Sequence, residues 1–168
     1  MIEPVQVEGG GYDFYLPSSS VLSAETRFFQ STPEKTLTIP STAARVITVG
    51  AYDTYTESYA DFSGRGGNMP PASVNIKPDL VAPGVNIKTL SPGNVPVAVS
   101  GTSFATPFAS GSAALLMEWG IVRENNPYMY GERIKAALIQ GTRRLPFMST
   151  LPSPEAGWGA LCLDFSLE

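Results

Sequence analysis

The sequence predicts an α/β fold, with a mostly parallel sheet and flanking helices. Three observations carry this. Val46–Val49 closed by Gly50, and Leu80–Ala82 closed by Pro83-Gly84, are short apolar runs of the kind that form strands buried on both faces. Thr102 to Trp119 is Ala-rich, apolar on nearly all sides and long enough for a buried helix. Residues 131–140 set Ile134, Ala137 and Leu138 at i, i+3 and i+4, which makes an amphipathic helix closed by Gly141.

Composition bounds the partners. The chain has 168 residues, 43% of them hydrophobic and 15% charged, which fits one domain with a sizeable core. Its net charge of −4 offers no basic face for nucleic acid. No run approaches the roughly 18 apolar residues needed to cross a membrane, and no charged start followed by an apolar stretch marks a signal peptide. Cys162 is the single cysteine, so no internal disulfide forms, and it is read as a small buried hydrophobe.

Residues 1–35 differ from the rest. Tyr12–Leu16 and Phe28-Phe29 are β-prone or aromatic, and Gly9–Gly11, Pro17–Ser20 and Ser31–Pro33 punctuate them. Short strands joined by polar turns are expected there. Farther on, Gly64–Gly67 is a turn and Asn68–Asn75 a loop. Thr89–Pro96 is a turn-rich connection, and Val97–Val99 a strand that delivers the chain to Ser100-Gly-Thr-Ser103. Gly101 supplies backbone freedom, Thr102 and Ser103 can cap the helix, and Gly120 can stop it. Glu124–Pro127 breaks the pattern, Arg143-Arg144 is a solvated helix end, and Pro146–Glu155 is a loop.

Ser103 holds the chemical interest. A serine at a helix N-terminus lies beside free N–H groups and the positive end of the helix dipole. That setting suits a hydroxyl whose attack on a carbonyl generates an oxyanion, although a simple helix cap is the commoner use of such a residue.

Gly101-Thr-Ser-Phe-Ala-Thr-Pro107, followed by Gly111 and Ala113–Leu116, closely resembles the nucleophile motif of subtilisin-like serine proteases (peptidase S8). Three further segments extend the resemblance over residues 36–165: Val46–Ala51, Lys77-Pro-Asp-Leu-Val-Ala-Pro-Gly84 and Gly157-Trp-Gly-Ala-Leu161. By family order this is the C-terminal half of a doubly wound catalytic domain. Residues 1–35 resemble the end of the β-rich (jelly-roll) module inserted in clostridial spore-germination subtilases, just before Thr38-Ile-Pro40. The resemblance makes Ser103 the nucleophile and its backbone N–H an oxyanion-hole donor, with Gly101 and Thr102 in substrate binding. Asp79 is then structural, a hydrogen-bond anchor, and Trp158 packs in the core. Phe108 stands where the family usually has a non-triad histidine.

The chain contains no histidine, and a Ser–His–Asp site needs an imidazole as general base. In the family the triad Asp and His and the oxyanion Asn all lie upstream. The sequence therefore reads as a fragment of a serine endopeptidase, inactive alone, whose N-terminal part supplies Asp and His. A pseudoprotease with a signalling or scaffold role is the alternative. Peptides or proteins are the implied substrates, with no cofactor. No metal is expected, since no acidic cluster surrounds Asp79 and Lys77 stands where a further carboxylate would help. The family points to a secreted or spore-associated bacterial setting. Half of such a sheet exposes an edge and an apolar face, so the fragment is expected to self-associate or pair with its upstream half.

Overall fold

The computed structural model describes residues 13–17, 21–67 and 76–167. The chain divides into two compact units, residues 1–32 and 33–168, so the second begins three residues before the expected boundary. In the first unit the described residues form turns and extended chain with no strand. Phe14, Tyr15, Val21 and Phe29 are all exposed there. β-prone residues form a ladder only where a partner strand takes up their backbone groups. Gly9–Tyr12, Ser18–Ser20 and the Asn68–Asn75 loop lie outside the described residues.

The second unit is built on strands β1 (Val49–Asp53) and β3 (Leu80–Pro83), paired in parallel with Val49 opposite Leu80. The short strand β2 (Ser58–Tyr59) runs antiparallel to β1 and meets it only at Tyr52 and Asp53. Beyond β3, Val81 N donates to Gly159 O and Leu161 N to Val81 O, so residues 159–161 lie along its outer edge. Side-chain alternation gives this sheet two faces. Val49, Ala51, Leu80 and Ala82 pack with Ala105, Ala109, Leu116, Ile134 and Leu138. Tyr52 and Val81 pack on the other side with Leu145, Met148, Ala156 and Ala160.

Helix α1 (Thr102–Met117) covers the first face. Its buried residues, Ala105, Ala109, Ser112 and Leu116, form one stripe at i, i+4, i+7 and i+11. Phe104, Phe108 and Leu115 lie exposed along one flank of it. The helix is therefore half-covered within this chain, where its composition predicts full burial. Gly120 does not stop it. The chain widens into a π-helical turn, Glu118–Val122, in which Gly120 is buried; a Cβ there would lie 2.5 Å from that of Met129. Helix α2 (Glu132–Gln140) ends at Gly141 as predicted and buries Ile134 and Leu138. A four-residue helix α3 (Leu163–Ser166) follows, preceded by a half-buried Cys162.

Two further readings change. Residues 87–99 form a hairpin, β4 (Ile87–Ser91) against β5 (Val95–Val99): the strand expected at Val97–Val99 is there, and the turn-rich connection expected at Thr89–Pro96 is largely strand. Gly93 and Asn94, with φ of 86° and 59°, make the turn. Trp158 is 42% exposed, and the packing belongs to its neighbours Ala156 and Ala160. Trp158 contributes through its backbone, whose N–H donates to Asp79 O at 3.0 Å. No helix among the described residues is long and apolar enough to cross a membrane.

Candidate active site

Ser103 is the second residue of α1 and is exposed. The chain reaches it through β5, whose end is tied to the end of β3. Gly101 N donates to Gly84 O at 2.8 Å, and Asn86 N to Ser100 Oγ at 3.0 Å. Two glycines permit this. Gly101 has φ 153° and ψ 156°, a region that side chains rarely enter. At Gly84 a Cβ would lie 2.6 Å from Ala51 Cβ and 3.1 Å from Gly101 O. The loop leading to Ser103 thus rests directly on the sheet.

The first turn of α1 leaves its polar groups open. Gly101 is the N-cap, and no side chain caps the helix. The capping expected of Thr102 and Ser103 fails because both lie past the cap position. Phe104 N donates to Gly101 O at 3.0 Å, and Thr106 Oγ1 to Thr102 O at 3.0 Å. The N–H groups of Thr102 and Ser103 precede the first intrahelical bond. Pro107 lacks an N–H, so the Ser103 carbonyl has no helical donor either. Among the described residues the Ser103 hydroxyl has no hydrogen-bond partner. An exposed hydroxyl, two open N–H groups and the positive end of a 16-residue helix therefore coincide.

A groove of about 690 Å³ opens beside this point. Thr102, Ser103 and Thr106 form one wall, and Val46–Gly50 another. The second wall is the β1 edge opposite β3. There Ala51 N donates to Ser63 Oγ, and Ala60 N to Ala51 O. The peptide groups of Ile47 and Val49 have no partner among the described residues. Asp61, an exposed side chain, is the only carboxylate among the described residues that line the groove.

Thr102 and Ser103 thus line the groove, and Gly101 precedes them in the chain without lining it. Asp79 is elsewhere: it is 2% exposed and accepts hydrogen bonds from Thr48 N and Lys77 Nζ, both at 2.7 Å. Asn86 and Asn94 sit at the start and turn of the hairpin with positive φ, while Asn68 and Asn75 lie outside the described residues. Sequence reasoning missed the open β1 edge and Lys135, whose Nζ pairs with Asp79 Oδ1 at 2.8 Å and donates to Ala44 O and Val46 O.

A parallel strand pair flanked by helices, with an exposed serine in the first turn of one of them, defines the class, an α/β protein. The model of the Subtilase family (Peptidase_S8) matches residues 19–159, and the chain belongs to that family of serine proteases. It is 35% identical over 128 residues to the serine protease AprX of Bacillus subtilis, a match covering 64% of this chain and 27% of AprX. It is 38% identical over 99 residues to the PII-type proteinase of Lactococcus lactis subsp. cremoris, covering 58% of this chain and 5% of that protein. Among solved structures, the CspB protease of Clostridium perfringens superposes with a TM-score of 0.81 at 46% identity. That superposition covers 88% of this chain and 31% of CspB, in line with the spore-germination subgroup that the sequence resembles. The prenylagaramide maturation protease PagA aligns with a TM-score of 0.62 at 30% identity, covering 77% of this chain and 44% of PagA. The chain thus spans less than half of each relative.

Proposed function

We propose that this chain is the nucleophile-bearing part of a subtilisin-like serine endopeptidase. The observation that carries the reading is the open first turn of α1, where the Ser103 hydroxyl has no internal partner. Ser103 Oγ attacks a peptide carbonyl, and the resulting oxyanion accepts the Ser103 backbone N–H at the helix N-terminus. The acyl-enzyme formed as the amine leaves is hydrolysed by water. A histidine must take the Oγ proton and pass it to the amine. This sequence has none, so an N-terminal part of the domain supplies His and its orienting Asp. Gly101 and Thr102 line the approach to the scissile bond. Residues 1–35 are the tail of an inserted β-rich module.

Labelling of Ser103 by a fluorophosphonate tests this. The chain alone is expected to label no faster than a denatured control and to hydrolyse no peptide. Mixed with an Asp- and His-bearing N-terminal subtilase segment, it labels at Ser103, and Ser103→Ala abolishes the signal. Peptide hydrolysis by the chain alone that disappears in Ser103→Ala overturns the need for a second part. No labelling in an assembled complex overturns Ser103 as nucleophile.

A further inference from the structure

Asp61 and Phe62 reach the groove beside Ser103 from a turn that the fold holds firmly. Ala60 and Ser63 are buried, and Ser63 N donates to Ala60 O at 2.8 Å, so Asp61 and Phe62 are the two central residues of a β-turn. Both ends of the turn are fixed to β1. Ala60 N donates to Ala51 O at 3.2 Å, and Ala51 N to Ser63 Oγ at 2.9 Å. Tyr59 Oη donates to the carbonyls of Ser63 at 2.7 Å and Gly64 at 3.2 Å. The corner of the turn presents two side chains, Asp61 and Phe62, and both are exposed.

Asp61 carries the only charge among the described residues that line the groove. Among the described residues its carboxylate has no ion pair and no hydrogen bond. Arg65, the basic residue that follows the turn, is engaged elsewhere: it pairs with Glu155 at 2.6 Å, and its guanidinium lies 5.0 Å from the centre of the Tyr59 ring. The other walls are apolar or hydroxyl-bearing, among them Leu37, Pro40, Ile47 and Thr106. An uncompensated carboxylate next to an exposed aromatic ring matches a long cationic side chain. The methylene stem lies along the ring, the head group meets the carboxylate, and the ring face attracts the cation. Arginine suits the pair better than lysine, because its planar guanidinium both stacks and forms bidentate hydrogen bonds. An acidic side chain at the same place meets like charge with no cation to offset it.

We propose that Asp61 and Phe62 form a subsite that seats an arginine or lysine side chain of the peptide substrate in the Ser103 groove. The assignment rests on the reading of that groove as the substrate cleft. Asp61 is a specificity residue there, touching the substrate but not the reacting bond.

The test is fluorescence anisotropy of the full chain with fluorescein-labelled peptide pools. Each pool has one fixed position, arginine, norleucine or glutamate, among random alanine, serine, valine and leucine. The arginine pool is expected to bind about two- to fivefold more tightly than the norleucine pool, the range of an exposed ion pair, and the glutamate pool more weakly than both. The advantage shrinks at high salt. Asp61→Asn removes most of it, and Asp61→Lys reverses the order, so that glutamate binds best. A loss of packing does not produce that reversal. Glu124→Gln, which removes an exposed carboxylate outside the groove, leaves the order unchanged. Equal affinities of the unaltered chain for the three pools, absence of binding to all three included, overturn the subsite, as does an arginine preference that survives Asp61→Lys. Ser103→Ala keeps the preference, since binding needs no nucleophile. An assembled complex that fails to label at Ser103 but keeps the preference sinks the nucleophile and leaves the subsite; labelling without the preference does the opposite.

Discussion

At the scale of single residues, Ser103 is a hydroxyl left without an internal partner, and the glycines around it explain how. Gly84→Ala would press a methyl group against Ala51 at 2.6 Å. Overpacking of this kind costs about 1–3 kcal/mol, to be read as a lowered midpoint in urea unfolding. Lys77 and Tyr59 give the chain an alkaline signature. Burial lowers the Lys77 pKa from 10.5; Asp79 opposes the shift and Lys135 adds to it. Between the lowered value and 10.5 the unfolded chain holds more protons, so stability rises with pH there. Burial raises the Tyr59 pKa above 10.0, against the lowering effects of Ser63 and Arg65, while Glu155 adds to the rise. Above pH 10.0 the unfolded tyrosine ionises first, and stability falls. The unfolding free energy measured across alkaline pH should rise and then fall. Lys77→Met removes the rise and Tyr59→Phe weakens the fall. Ser103 and Gly101 were legible in the sequence because their chemistry is set by immediate neighbours. Lys135 was not: within its helix it is one more polar residue, and its partners lie in a loop far away in sequence.

At the scale of elements, the sequence placed β3 and α2 where they are, and displaced β1. The apolar run begins at Val46, yet the ladder begins at Val49, because Val46 and Thr48 use their backbone groups on Lys77, Lys135 and Asp79. The hairpin went unread because Ser91–Asn94 carries strong turn signals that concealed the pairing on either side. β4 and β5 make their principal packing contacts with each other, and Leu90 and Val95 are exposed. Their amides should exchange faster than those of β1 and β3, which lie between two cores. Equal protection in native-state exchange would contradict this. Leu116 is fully buried against the sheet, and Leu116→Ala should cost about 2–5 kcal/mol, measurable by denaturant unfolding.

At the scale of the whole molecule, a two-faced sheet has apolar cover on both sides and an unpaired stretch on one edge. Phe104, Phe108 and Leu115 add an exposed apolar flank on α1. Unpaired edges and apolar patches drive association. Sedimentation of the isolated chain is expected to show species heavier than the 17.9 kDa monomer, with association reduced when an upstream segment is added. A monodisperse monomer would remove the edge as an interface. The absence of histidine was the one sequence fact that bore on the molecule as a whole, since on the proposed reading it places the base outside these residues.

On the proposed reading, a base supplied from another segment has a kinetic consequence. With the hydroxyl on this chain and its base on another segment, activity would depend on how often two pieces meet. Well below their dissociation constant, halving both concentrations would cut the rate about fourfold. The unpartnered Ser103 would then be switched off by dilution and switched on by tethering, with no inhibitor involved.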